Sequence, residues 1–307
     1  MRKVFFETLI ELAESDSRIV LLTGDLGYTV LEPFRDRYPD RFFNVGVAEQ
    51  NMIGLTTGLA EAGFIPFVYS IIPFVVLRPY EFIRNGPVLH GLPVRIVGVG
   101  TGFDYGYQGL THWGLEDIGL MRMQPNMTVI VPSDSKQARN ALHSTCNLAG
   151  PVYYSIGKSN EIQIEGLEGR FGLDRIYSVR EGSDLLFVAT GTIVQEVLAA
   201  AEILHQKGVK STVVVVSTLN PPPVTALIFH LSRFSHVITV EAHYITGGLG
   251  SLVSEIIADA GLGCKLVRCG VKMLPSGVNG SRDYLYERYG LSSRRLVETA
   301  LQTIKEV

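Results

Sequence analysis

Short apolar runs alternate with amphipathic stretches along the whole chain, in two successive series. An amphipathic helix is expected over 3–14, then an apolar strand over 19–23. Further strands are expected near 42–45, 65–69, 94–99, 128–131 and 152–155, with helical stretches between them. Strands that are apolar throughout and spaced by helices imply a parallel sheet covered on both faces. Between 157 and 181 the pattern lapses into glycine- and charge-rich sequence, read as a linker with an entering strand. It then resumes with strand 185–189, helix 194–206, strand 211–216, helix 223–231, strand 236–240, helix 250–260, strand 265–267 and a terminal helix near 292–305. The expected fold is α/β: two doubly wound, mostly parallel-sheet domains over 1–160 and 181–307, joined by a linker at 161–180. Ligands in such sheets bind beyond the carboxyl ends of the strands. Gly24-Asp25, Glu49, residues 69–74 and the loop 100–112 all fall at those ends.

The stretch 43–63 places a carboxylate in an unusual setting. Phe42, Phe43, Val45 and Val47 read as a short apolar strand, and Glu49 then opens a helix. Met52, Ile53, Leu55, Thr56, Gly58, Leu59, Ala60 and Ala62 make that helix apolar or small around most of its circumference. Such a helix is buried, so its first turn lies inside the protein or at an interface, and Glu49 with it. Two readings of Glu49 stay open here. One is an acid that satisfies free backbone N–H groups and the helix dipole, worth about 0.3–1 kcal/mol. The other is a carboxylate held in an apolar wall for chemistry.

Composition narrows the class. At 307 residues the chain has room for about two domains. Its 19% charged residues and mean hydropathy of +0.22 supply apolar material for large cores and an oligomer interface. A net charge of −3 without a basic cluster argues against nucleic acid. Cys146, Cys264 and Cys269 lack metal or redox spacing and fit inert packing in a reducing compartment. No apolar run nears the ~20 residues of a membrane span, and the N-terminus lacks a signal-peptide core. A cytoplasmic protein is expected.

The loop 99–113, VGTGFDYGYQGLTHW, is too long and too rich in glycine and aromatic residues for a plain crossover. Long loops in compact domains are usually functional. His112, at the entry of the next helix, is either a packing residue or a proton-transfer group, since histidine titrates near neutral pH.

These segments carry a resemblance. FNVGVAEQNMIGLTTGLAEAGFIPFV, RPYEFIRN, the loop ending THW and LEDIGLMRMQPNMTVIVPSD resemble the pyrimidine-binding domain of transketolase-like thiamine diphosphate enzymes. TVEAHYITGGLGSLVSEIIAD resembles the transketolase C-terminal domain. A complete transketolase also needs a preceding diphosphate-binding domain whose GDG motif and downstream Asn hold Mg2+. Gly24-Asp25-Leu26 lacks the second glycine. The resemblance is therefore to the C-terminal subunit of a split transketolase. It implies thiamine diphosphate as cofactor, with Mg2+ ligands on a separate N-terminal diphosphate-binding subunit rather than in this chain. It also implies a dimer core of this chain with two copies of each subunit, and a small sugar substrate.

Residue by residue, the resemblance matches Glu49 to the glutamate that contacts the aminopyrimidine ring nitrogen, Phe74 to an aromatic stacked on that ring, and Asp25 to an acid lining the cofactor site. Ile71 replaces a second family aromatic. His112 matches a substrate-facing histidine. Where authentic transketolases read GEDGxTHQ, this chain reads GYQGLTHW, so Gln108 replaces an aspartate that recognises a donor hydroxyl and Tyr107 the adjacent glutamate. Gly100 replaces a phosphate-binding histidine. Lys158 replaces a phosphate-binding arginine and loses the bidentate fork. Tyr105, Tyr107, Gln108 and Trp113 would offer stacking and neutral hydrogen bonds to a larger or unphosphorylated substrate. Ketol transfer is the leading expectation. The alternatives are the β subunit of a 2-oxo acid decarboxylating or deoxyxylulose-phosphate synthase-like enzyme, and a non-catalytic scaffolding paralogue.

Overall fold

The longest apolar runs become strands buried at every position, as at Ile65–Ile71 and Ser211–Val216, as a parallel sheet covered on both faces requires. The computed structural model describes residues 1–159, 162–275 and 277–305; the expected domain boundary at 160–161 lies outside the described residues. Among the described residues twelve strands run in chain order: β1 (Ile19–Thr23), β2 (Phe42–Asn44), β3 (Ile65–Ile71), β4 (Arg95–Val99), β5 (Thr128–Ile130), β6 (Val152–Ile156), β7 (Ile176–Arg180), β8 (Leu185–Ala189), β9 (Ser211–Val216), β10 (Thr218–Asn220), β11 (His236–Tyr244) and β12 (Lys265–Val271). They form a seven-stranded sheet in the order β10-β5-β6-β4-β3-β1-β2 and a five-stranded sheet in the order β12-β11-β8-β9-β7. Every neighbouring pair is parallel except β10 with β5 and β7 with β9. The α/β expectation of two mostly parallel sheets therefore holds, and the entering strand expected before 181 is β7.

Strand β10 was not legible in the sequence. It lies beyond the second sheet's β9 in the chain, yet closes the edge of the first sheet, where Asn220 Nδ2 donates to the carbonyls of Gln124 (3.1 Å) and Met127 (2.6 Å). One apolar cluster accordingly runs from Val20, Met52 and Val68 through to Val214, Leu227 and Val253. The two halves share a core rather than meeting at a loose seam.

Two other departures concern the region of Glu49. Strand β2 is an edge strand whose Phe43 is exposed, as is Val47 beyond it. The helix Glu49–Glu61 buries Glu49, Met52, Ile53, Thr56 and Ala60 but leaves Gln50, Asn51, Gly54, Leu55 and Gly58 exposed in the single chain. Its outer face, with Phe82, Asn85 and Gly86, borders a groove of about 290 Å³. Among the described residues no helix is long and apolar enough to cross a membrane. The three cysteines are free thiols, and burial pushes those of Cys146 and Cys269 up to about 11, which leaves them protonated and unreactive.

Candidate active site

Strand β1 ends at Thr23, and the chain turns through Gly24 and Asp25, the latter at φ +59. Asn44 at the end of β2 organises this turn. Its Oδ1 accepts from the N–H groups of Asp25 (3.0 Å) and Gly46 (3.1 Å), and its Nδ2 donates to Asp25 Oδ1 (3.0 Å). A Cβ on Gly24 would lie 3.2 Å from the Gly46 carbonyl and 3.7 Å from Glu49 Oε1. The absent side chain brings the strand end against the Glu49 carboxylate, so the Asp25 turn and Glu49 belong to one place.

Glu49 is only 3% exposed, yet it caps no helix: the first turn has no side-chain cap. Both carboxylate oxygens instead accept from Arg78 Nη1, at 2.9 and 3.0 Å. The helix-dipole reading thus does not describe where its hydrogen bonds go. The Arg78 guanidinium carbon lies 4.1 Å from the centre of the Phe74 ring, a cation–π contact. Phe74 meets the His112 imidazole edge-on at 5.1 Å, and His112 lies 6.2 Å from the Tyr105 ring. Lys158 Nζ sits 4.7 Å over that same ring. Glu49, Arg78, Phe74, His112, Tyr105 and Lys158 therefore form one continuous line along the carboxyl ends of the first sheet.

His112 Nδ1 lies 2.9 Å from Thr111 Oγ1. Burial, and then the Arg78 charge, hold its pKa below the ordinary 6.5, so at pH 7 the neutral ring is favoured, with one nitrogen a donor and the other an acceptor. Tyr105 takes the space that a side chain at 100 would need. A Cβ on Gly100 would fall 2.3 Å from the Tyr105 ring, at a φ of +96 that disfavours any other residue. A histidine could not be restored there without moving Tyr105. Lys158 is anchored from behind, its N–H donating to Asp104 Oδ2 at 2.8 Å. Burial pushes the Asp104 carboxyl up, against the opposing pull of that N–H and of Arg282.

Not every expected residue joins this line. Tyr107 and Gln108 lie on the short 3-10 turn 106–108, where their side chains are exposed, Tyr107 to 73%. Trp113, expected as a stacking surface for substrate, is buried. Its Nε1 donates to the Gly106 carbonyl at 3.2 Å and its ring packs edge-on against Phe103. Among the described residues no group of three or more His, Cys, Asp or Glu side chains could hold a metal ion. Sequence reasoning missed Arg78 and Asn44. A signal for Arg78 existed: a buried carboxylate needs a charged or hydrogen-bonding partner, and Arg78 opens the RPYEFIRN segment just after an apolar run.

Comparison with known proteins adds a separate line of evidence. Residues 1–161 match the transketolase pyrimidine-binding domain and residues 174–296 the transketolase C-terminal domain. A putative transketolase C-terminal section from Methanocaldococcus jannaschii is 39% identical, over 100% of this chain and 96% of that protein. A 6-deoxy-6-sulfo-D-fructose transketolase subunit from Clostridium sp. (strain MSTE9) is 35% identical, over 98% of this chain and 93% of that one. A solved structure described as a split-gene transketolase in an inactive β4 tetramer superposes with a TM-score of 0.88 at 32% identity, covering 99% of this chain and 97% of the other.

Proposed function

This chain belongs to the transketolase family, carrying its pyrimidine-binding and C-terminal domains, and from that premise we propose that it is one subunit of a two-component, thiamine diphosphate-dependent transketolase-like enzyme. The enzyme transfers a two-carbon ketol unit between a ketose donor and an aldehyde or keto-sugar acceptor. The observation that carries this reading is the buried Glu49 carboxylate, held by a side chain beside Phe74 and His112 rather than tied into its own helix.

The residues present fit the pyrimidine half of the cofactor. Glu49 offers a desolvated carboxylate to a ring nitrogen, Phe74 an aromatic face, and the Asp25 turn closes the side where Gly24 meets Glu49. When bound, the cofactor supplies the carbon nucleophile that accepts and passes on the ketol unit. Within this chain, Glu49 would hold the ring proton, since a carboxyl group shielded from water controls a nearby proton more strongly than an exposed one. The neutral His112 would hydrogen-bond the oxygen at the donor's reacting centre. Lys158, braced on Tyr105, would meet the far end of the sugar as a point charge. Tyr107 and Gln108, in solvent on their turn, would meet substrate only from the open side of the site.

A partner would supply the diphosphate-binding domain and the Mg2+ ligands. In support, two of the relatives that this chain covers almost end to end are described as a C-terminal section and a subunit. The outer face of helix Glu49–Glu61, with Gly54, Leu55 and Gly58 at its middle, would form the dimer core, with two copies of each chain in the complex.

The test is reconstitution with a diphosphate-binding chain, assaying ketol transfer with wild type and Glu49→Gln. Turnover by the wild type, lost by roughly 10²–10⁴-fold in the variant, is the expected result. Equal turnover in both would overturn the reading. Tight Mg2+-dependent cofactor binding by the isolated chain would remove the need for a partner.

A further inference from the structure

The proposed role of Glu49 and Phe74 leaves Arg78 unexplained, and its two contacts are informative. One nitrogen of its guanidinium donates to both Glu49 oxygens at 2.9 and 3.0 Å, and the guanidinium carbon lies 4.1 Å over the Phe74 ring. A carboxylate in the plane and an aromatic on the face are the same two contacts that the reading above gives to the cofactor's aminopyrimidine. The chemistry also corresponds. A guanidinium is a planar, delocalised group with N–H donors at its rim and weakly hydrated faces; an aminopyrimidine is likewise flat, and where its ring nitrogen shares a proton with Glu49 it too presents an N–H to the carboxylate.

The position of Arg78 allows it to leave. It lies on the turn between the short helices Ile72–Val76 and Tyr80–Ile83, and its side chain is 45% exposed while Glu49 is 3% exposed. One end of the pair is buried, the other already half in solvent. A carboxylate left buried without a partner is costly, and a chain with only half of a cofactor site must fold before that cofactor can be held. We propose that Arg78 is a placeholder: in the cofactor-free chain it occupies the pyrimidine position, keeps Glu49 paired, and swings to solvent when the cofactor enters. This rests on the assignment of Glu49 and Phe74 to the pyrimidine. The consequence is a built-in competition, because apparent cofactor affinity falls by the fraction of molecules in which Arg78 still fills the site.

The experiment compares wild type, Arg78→Ala and Arg78→Lys, each as the full chain reconstituted with a diphosphate-binding partner. Thiamine diphosphate is titrated calorimetrically in excess Mg2+, and the melting temperature of each cofactor-free chain is recorded. Arg78→Ala is expected to bind the cofactor about tenfold tighter while its cofactor-free chain melts at a lower temperature. Arg78→Lys, which keeps the charge but loses the planar stack, is expected to fall between the two. A residue that merely supported the site would weaken binding when removed. Unchanged or weaker binding by Arg78→Ala, alongside normal binding by the wild type, would overturn the placeholder. Should Arg78→Ala fail to fold, equal affinities of Arg78→Lys and wild type would overturn it. Failure of the wild-type complex to bind the cofactor would instead overturn the functional reading beneath it.

Discussion

Each half of this protein buries a glutamate beside the start of a helix, and the two are held in opposite ways. Glu241, on β11, is fully buried; its Oε2 accepts from the Leu249 N–H at 2.7 Å and its Oε1 from the Gly250 N–H at 2.8 Å, in the first turn of helix Leu249–Asp259. His243 lies 3.8 Å away. Its Nδ1 is 2.6 Å from the Tyr244 carbonyl, and its Nε2 accepts from the Gly119 N–H of the first half at 3.2 Å. Burial pushes the Glu241 carboxyl up, against the pull of His243 and the two N–H donors. Glu49 is nearly as buried, yet no backbone group holds it. Burial and a helix terminus alone therefore say little about function. A carboxylate tied to backbone N–H groups cannot release its partners without unwinding the helix, whereas one tied to a half-exposed arginine can exchange that partner for a ligand.

The largest effects should separate the two glutamates. Glu49→Gln should lower turnover of the reconstituted complex by roughly 10²–10⁴-fold while the denaturation midpoint of the chain barely moves. Glu241→Ala should do the reverse, removing about 3 kcal/mol of stability because two buried N–H groups lose their acceptor. Denaturant titration and steady-state assay of both variants make the comparison. A stability loss confined to Glu49→Gln, with turnover lost only in Glu241→Ala, would invert the assignment. His112→Ala should lower kcat/KM about tenfold to a hundredfold with every donor tried, the worth of one good hydrogen bond at the reacting centre. An effect limited to one donor would move His112 to the substrate's distal end.

The helices that follow the two glutamates differ as well. Helix Leu249–Asp259 turns Glu255, Ala258 and Asp259 to solvent, whereas helix Glu49–Glu61 turns out Gln50, Asn51 and Glu61 at its ends and an uncharged patch of Gly54, Leu55 and Gly58 between them. Leu55→Asp should weaken self-association by about 2 kcal/mol per interface, measured by sedimentation equilibrium. An unchanged assembly would place the dimer contact elsewhere. The smallest effect is on His112. In the cofactor-free chain its NMR titration midpoint should lie below 6.5, the direction set by burial and by the nearby Arg78 charge. The protonated form is disfavoured, so removing a positive neighbour must raise the midpoint. Arg78→Ala should move it upward, toward the ordinary value, and a downward shift would show that Arg78 does not lie beside the ring.

Much of this molecule was readable because its signals are local. The strands announce themselves as apolar runs, since a parallel sheet covered on both faces has no polar side to interrupt them. The convergence of Asp25, Glu49, Phe74 and His112 followed from the rule that loops at strand carboxyl ends meet at one edge. Packing decided the rest. Helix Glu49–Glu61, expected inside the protein or at an interface, is buried by this chain on one face and open on the other. Trp113 was offered to substrate because aromatic residues in a glycine-rich loop suggest stacking, but Phe103 and the Gly106 carbonyl claim it first.

By itself the sequence determined the two sheets, the edge at which the candidate site residues gather, and the chemical character of Glu49 and His112, since each depends on residue type and on neighbours along the chain. The partners were decided only in three dimensions. Arg78 is 29 residues from Glu49, Lys158 reaches Tyr105 from a different strand end, and β10 crosses from one half to complete the other's sheet. A hydrogen bond or a stacked ring depends on distance and direction to about an ångström, and no periodicity in a one-dimensional pattern carries that information.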